Sequence, residues 1–410
     1  MSKQNQHKPN VPELRFPEFS GEWEEYRLKD IANFSKGKSI SKGDLSEEGV
    51  SCILYGELYT RYGALIKEIY SKTDLDTSKL KKGEENQVLI PSSGETAIDI
   101  ATASTIDTNQ EVYIGGDLNI IDPKTNFDGC FISLSINGVN KLNLAKYAQG
   151  KTVVHLYNND IKGLYMKFPQ GSKEQKKISD FFSKLDRQIE LEEKKLALLE
   201  EQKKGYMQKI FSQELRFKDE NGNDYPEWEV SSLGKIAHVT KGFTPSTKNN
   251  DYWEESKYNW LSIAGLNKKY ITEGNKGITQ AAVANKKPVL KNTLVMSFKL
   301  TIGRLAILKE DLYTNEAICH FNWISEDVNT EFVYYYLNMV NISSFGARAV
   351  KGITLNNESI NSIVIKLPKY QEQLKIADFL GKIDIKIELH KKKVQLLSRK
   401  KSSLLQSMFL

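Results

Sequence analysis

Apolar residues follow a long-period rhythm in two stretches of the chain. In the first they recur at alternating spacings of four and three, at Ile178, Phe182, Leu185 and Ile189, and then at Leu196, Leu199, Tyr206 and Ile210. In the second they fall at Ile376, Leu380, Ile383, Ile387, Val394, Leu397, Leu404 and Met408. That is the heptad seam of a coiled coil, so each stretch is predicted to be one long helix. Polar residues interrupt the seams at Glu192 and Lys203 in the first and at His390 and Lys401 in the second, and an offset of 198 maps one pair onto the other. Gly205 and Gly381 are the glycines inside these runs, each tolerable at about 1 kcal/mol. A helix with a single apolar stripe must bury it against another helix. The two copies are therefore expected to pair antiparallel, as a rod on the order of 55 Å long with a domain at each end and an approximate twofold axis.

The rest of the chain is also duplicated. Leu14-Arg15-Phe16 recurs as Leu215-Arg216-Phe217, at an offset of 201. Trp23, Leu28, Ile31 and Lys36-Gly37 recur at an offset of 205 as Trp228, Leu233, Ile236 and Lys241-Gly242. VHLYNNDIKGLYMKFP (154–169) aligns with ITLNNESINSIVIKLP (353–368), and Glu174-Gln175 recurs as Glu372-Gln373. The middles diverge: 88–101 and 293–306 share an apolar rhythm and align Thr96 with Thr301, but little else. The repeat unit is one domain plus one helix. The expected division is a polar tail (1–12), a first domain (13–171), a first helix (172–212), a second domain (213–368) and a second helix (369–410).

Composition narrows the class. With 410 residues and 40% hydrophobic side chains, the chain has enough apolar material for two packed cores. The three cysteines, Cys52, Cys130 and Cys319, are an odd number with no close pair, which predicts buried free thiols in a reducing compartment. No run is long and apolar enough for a membrane span and the N-terminal residues lack a signal core, so a cytoplasmic location and no membrane partner are expected. The net charge of +6 is uneven. Residues 1–171 carry −3 (20 basic against 23 acidic), 172–211 carry +2 (10 against 8), 212–368 carry +1 (18 against 17) and 369–410 carry +6 (10 against 4). The domains are near neutral, so contact with nucleic acid has to come from local patches.

Catalytic signatures are missing from the sequence. There is no Gly-rich cofactor loop and no Asn/Asp-Pro-Pro-Tyr/Phe segment of the kind that grips a flipped adenine. Ala145–Thr152 ends in Gly-Lys-Thr like a phosphate loop but has Ala where the first Gly belongs. The five histidines (His7, His155, His238, His320 and His390) lie far apart, which predicts no metal site.

Each domain opens on an ELRFP-like stretch and W-x4-L-x2-I, and closes on a proline-led Glu-Gln helix start: PQGSKEQKKISDFF (169–182) and PKYQEQLKIADFL (368–380). From about Pro12 onward the chain resembles the specificity subunit of type I restriction–modification systems. The resemblance implies an α+β fold: two repeated α/β target-recognition domains separated by two long antiparallel coiled-coil helices, with pseudo-twofold symmetry. It also implies that the subunit is not itself catalytic, that each domain reads one half of a bipartite site in double-stranded DNA, and that the paired helices set the gap. Two methyltransferase subunits and two restriction subunits are the implied partners. S-adenosylmethionine and ATP are expected on those partners and no cofactor on this chain. The competing readings are a coiled-coil protein-interaction adaptor and a fused methylase and reader.

Base edges are read by hydrogen bonds, and phosphate contacts set register. The candidates in the first domain are Tyr55, Glu57, Tyr59 and Arg61; Ser92, Ser93, Gly94 and Thr96; and Lys151. In the second they are Lys241, Phe243 and Thr244; Lys268 and Lys269; Ser297, Lys299, Thr301 and Arg304; and Lys351. Each of these could equally be a solvated turn or a strand end.

Overall fold

The structure, a computed structural model, describes residues 9–349 and 352–410. It divides into two compact units, one comprising the chain up to Lys195 together with His390–Leu410, the other comprising Leu196–Leu389. The division cuts both long helices, Ser172–Phe211 and Tyr370–Ser407, so each unit holds a piece of each.

The first unit is built on a five-stranded sheet in the order Ala32–Lys36, Leu118–Pro123, Val88–Pro91, Ser104–Ile106, Leu65–Ile66. Its pairs are antiparallel except the last, which is parallel. Val88–Pro91 is buried throughout, as expected of a central strand covered on both faces. Its proline stands at the strand end, where a missing N–H is tolerated. A second sheet joins Ser71–Thr73, Val50–Ile53 and Val112–Ile114. The helix Gly129–Asn137, capped by Asp128, packs Phe131, Ile132, Leu134 and Ile136 into the core.

The second unit repeats the five-stranded sheet in the same order and with the same strand directions: Ala237–Lys241, Ile318–Trp323, Leu294–Ser297, Leu305–Leu308, Tyr270–Ile271. The register corrects one sequence alignment. Val88 faces Ile121 and Thr105, while Leu294 faces Phe321 and Ile307. The equivalent strands are therefore offset by 206 residues rather than 205, and Thr96 does not correspond to Thr301. Side chains alternate across a sheet with period two, so a slip of one would have put the core face in solvent.

Within each unit the helix pieces run antiparallel. In the first, Phe182 meets Phe409 at 6.1 Å, Asp186 pairs with Lys401 at 2.5 Å, and Glu192 pairs with His390 at 2.8 Å. In the second, Lys203 pairs with Asp384 at 2.6 Å and Tyr206 meets Phe379 edge to face at 5.0 Å. The polar interruptions of the two seams are thus matched to charged or hydrogen-bonding partners. Ile178, Phe182, Leu185, Ile210, Ile376, Leu380, Ile387 and Met408 are buried, and Ile189, Leu196, Leu199, Ile383, Val394, Leu397 and Leu404 are half-buried. Tyr206 departs from the expectation: it is 38% exposed, and Met207 takes the buried place. An α-helix drifts by about 20° per heptad against a strict 3.5 repeat, so the stripe moves over by one position toward the end of the helix.

The duplicated motifs are accounted for at the helix starts. Arg15 grips Glu174 with Nε and Nη2, at 2.7 and 2.8 Å, and Arg216 grips Glu372 in the same way at 3.1 and 2.9 Å. The neighbouring glutamines tie each long helix to the cap of a core helix. Gln175 accepts from the Asp128 N–H at 3.0 Å, and Gln373 accepts from the Asn329 N–H at 2.8 Å. Leu-Arg-Phe and Glu-Gln are two halves of one joint.

Candidate nucleic-acid interface

In the first unit four of the candidates gather around a cavity of about 590 Å³, while Ser92, Ser93, Gly94, Thr96 and Lys151 do not line it. The short helix Tyr55–Thr60 forms one wall and packs against Val88–Pro91 and Ser93–Gly94. Tyr55, Glu57, Tyr59 and Arg61 line it, joined by Glu95 of the 92–96 loop and by Lys42 and Asp117, which sequence reasoning left out. Glu57 is only 8% exposed and is occupied, accepting from the Leu54 N–H at 2.9 Å and the Ser71 hydroxyl at 2.7 Å. It shapes the wall and is not free to meet a ligand. Glu95 is exposed, and no hydrogen bond or ion pair engages its carboxylate among the described residues. Burial, and then the neighbouring Tyr55, Glu95 and Asp99, raise the Tyr59 phenol above its ordinary range, so it stays a neutral donor.

Ser92 and Gly94 are buried and act as backbone supports: Ser92 accepts from the Leu156 N–H at 3.1 Å, and Gly94 pairs with Val154. Ser93 contacts His155 Nδ1 at 3.2 Å, and Thr96 caps the helix Ala97–Ile100 by accepting from the Asp99 N–H. Lys151 is exposed in the turn that the Gln149–His155 bridge closes. That turn follows a helix, Lys141–Ala145, and leads into a strand. A phosphate loop needs strand, loop and helix in the reverse order, which removes the Gly-Lys-Thr resemblance.

In the second unit Lys241 lies over the Phe298 ring at 4.8 Å and Lys299 over the same ring at 5.6 Å. Phe243 packs edge to face on Tyr313, and Thr244 accepts from Asn315 at 2.8 Å. Ser297 is fully buried and serves the hairpin: its hydroxyl donates to the Thr301 carbonyl and accepts from the Arg304 N–H at 3.1 Å. Lys299, Thr301 and Arg304 remain exposed around it, as does Lys268. Lys269 does not join them. Its side chain is 11% exposed, ion-pairs Glu331 at 2.6 Å and Asp384 at 3.5 Å, and donates to Tyr335 at 2.6 Å. A DNA ligand would have to break that network to reach it. Lys351 lies outside the described residues.

Sequence reasoning also passed over Leu300, the exposed tip of the hairpin, because an apolar residue in a loop carries no motif.

Among the described residues no three His, Cys, Asp or Glu side chains converge as metal ligands would, and no helix is long and apolar enough to cross a membrane. The three cysteines are free and buried. Burial pushes the Cys52 thiol up to about 11 and those of Cys130 and Cys319 to about 12, so none is a ready nucleophile.

Known proteins resemble this arrangement along its length. The family model described as "Type I restriction modification DNA specificity domain" matches residues 20–201 and again 225–399. The type I restriction enzyme MjaVIII specificity subunit of Methanocaldococcus jannaschii is 24% identical over 96% of this chain and 92% of its own length. The MjaIX specificity subunit of the same organism is 30% identical over 49% of this chain, a match that spans 48% of that relative. Among solved structures, the type I restriction-modification S subunit from M. genitalium superposes with a TM-score of 0.64, covering 98% of this chain and 99% of its own at 15% identity. A chain from a study of complex assembly and conformational transition in the type I R-M system gives 0.55, covering 94% and 97% at 13% identity. At those identities the structural likeness bears on the fold, while the family model matches most of the sequence. This chain belongs to the type I restriction modification DNA specificity domain family, is a specificity subunit of that kind, and carries the domain twice.

Proposed function

We propose that each domain reads one half of a bipartite site in double-stranded DNA, and that the helices fix the unspecified gap between the halves and dock two methyltransferase subunits. The chain itself is non-catalytic. Methyl transfer and cleavage belong to the methyltransferase subunits, which hold S-adenosylmethionine, and to two restriction subunits, which hold ATP. The complex works in the cytoplasm.

The observation that carries this reading is the contrast between constant frame and divergent rim. Sheet order, strand direction and the Arg–Glu–Gln joint repeat in both units. The candidate faces do not: one is a cavity lined by tyrosines, acids, Lys42 and Arg61, the other a projecting hairpin bearing Lys299 and Arg304. Two copies of one scaffold with unlike faces suit an asymmetric site.

The test is to insert one heptad into both long helices, beside Glu192 and His390, and to map adenine methylation in cells that also make the methyltransferase. Seven residues add about 10 Å of helix, or roughly three base pairs, while keeping the seam in phase. A longer gap between unchanged half-sites is expected. New half-site bases with an unchanged gap would refute the division of labour.

A further inference from the structure

The second domain ends its central hairpin in a point. Strands Leu294–Ser297 and Leu305–Leu308 are buried in the sheet, and only the turn between them projects. The turn is tied at its base: the Ser297 N–H donates to the Arg304 carbonyl at 2.9 Å, and the Gly303 N–H to the Ser297 carbonyl at 2.9 Å. Ile302 packs against the core, anchoring the returning side of the turn. What remains free is Lys299-Leu300-Thr301, with Lys241 and Arg304 exposed beside it.

Leu300 is 85% exposed, more than any other large hydrophobic residue among those described, and it stands at φ 64°. A side chain with a β-carbon is strained in that left-handed region, where glycine or asparagine would sit at less cost. Strain and exposure both work against the isolated chain. A role in contact with a ligand accounts for both, and the cations around the point favour a polyanion.

We infer that Leu300 is a specificity-determining residue that reads the 5-methyl group of a thymine in the half-site of the second domain. The inference rests on the DNA-reading role proposed above and goes on to name the base. A hairpin tip is of a size admitted by the major groove, about 12 Å wide, and is too broad for the minor groove at about 6 Å. In either groove the only apolar group on a base-pair edge is the thymine methyl, and it lies in the major groove. Lys299 and Thr301 flank the leucine with groups that can donate to neighbouring base edges or phosphates, while Lys241 and Arg304 reach the backbone.

The experiment uses the chain assembled with its methyltransferase subunits and duplexes carrying the mapped site. Deoxyuridine replaces thymidine at each thymine of the second half-site in turn, for the wild-type complex and for Leu300→Ala. Removing one buried methyl is expected to weaken wild-type binding about three- to fivefold at a single position and to leave Leu300→Ala indifferent there. Methylation mapping of Leu300→Ala should show that one position relaxed and the first half-site intact. If no thymine is sensitive, or if Leu300→Ala weakens all sequences alike, the inference is overturned. If the chain directs no methylation motif at all, the DNA-reading role itself fails, and the two failures are told apart.

Discussion

Asp186 and Asp384 occupy the same place in the two copies, 198 residues apart, yet their surroundings differ. Among the described residues Asp186 holds one ion-pair partner, Lys401, at 2.5 Å. Asp384 is the hub of a network: it pairs with Lys203 at 2.6 Å and Lys269 at 3.5 Å and accepts from Tyr335 at 2.5 Å. Strand pairing explains the difference. Lys269 precedes the strand Tyr270–Ile271, whose first-copy counterpart Leu65–Ile66 is preceded by Ala64; Tyr335 on its core helix corresponds to Leu134. At this place the first domain offers its helix Ala64 and Leu134, the second a lysine and a tyrosine that build a polar strut. Duplicated parts that share a frame have settled one joint in two chemistries.

The joint they share is where the largest loss is expected. Glu174 is buried, and Arg15 supplies its two charged hydrogen bonds; the indole N–H of Trp23 nearby finds no partner among the described residues. Glu372 is fully buried but keeps a second donor, the Trp228 indole, at 3.1 Å. Arg15→Leu should strand an uncompensated charge and destabilise the first unit by about 3–5 kcal/mol, whereas Arg216→Leu should cost the second unit less. Hydrogen exchange read separately over the two sheets would check this, and equal losses would show that the indole contributes nothing.

A second asymmetry sits in Ile318–Trp323, the strand beside the central one. His320 is buried between Thr240 and Thr314, with ring nitrogens 3.1 and 2.6 Å from their hydroxyls, where the first copy has Ile120. Burial pushes the imidazole down to about 4, so it is neutral in the fold. The unfolded chain, with an ordinary value near 6.5, takes up the proton first. The stability this histidine contributes is therefore present above about pH 6.5 and is lost as pH falls toward 4, approaching about 3 kcal/mol there. Unfolding midpoints measured across that window should fall for the wild type through its second unit, and His320→Gln should flatten that dependence.

How much of this was legible beforehand depended on the range of the signal. Heptads and repeated motifs showed in the sequence because each is a local rhythm or an exact recurrence: the seams of both helices, the Arg15 and Arg216 motifs, and the Glu-Gln pairs. The pairing of Arg15 with Glu174 spans 159 residues, and no local pattern carries it. The candidate faces were legible only in part. Tyr55, Tyr59 and Arg61 do converge on one cavity, but Glu57 and Ser297 proved to be structural because their partners come from distant strands or across a turn. Lys269 looked like surface beside Lys268 because its partners, Glu331, Asp384 and Tyr335, come from elements far along the chain. The slip from 205 to 206 was invisible because the extra residue lies in the connection ahead of the two strands, 67–87 in the first copy and 272–293 in the second.

The polar strut gives the smallest of these contrasts and the cleanest. Asp384→Ala would leave Lys269, whose side chain is 11% exposed, with Glu331 as its one carboxylate partner among the described residues, and would remove the acceptor of the Tyr335 hydroxyl. That phenol is already held far above its ordinary range, by burial first and then by its bond to Asp384, so it remains a donor that needs a partner. The loss should be about 2 kcal/mol, the order expected for unpairing partly buried hydrogen bonds to a charged group. Asp186→Ala breaks a single ion pair at a half-exposed seam and should cost no more than about 1 kcal/mol. Denaturant titrations of both variants at low and high salt would compare them. The Asp186 effect should fade with salt while most of the Asp384 effect persists, because buried pairs are screened less. Matching losses with matching salt dependence would mean that the two joints are equivalent after all, and that the network around Tyr335 adds no rigidity to the second domain.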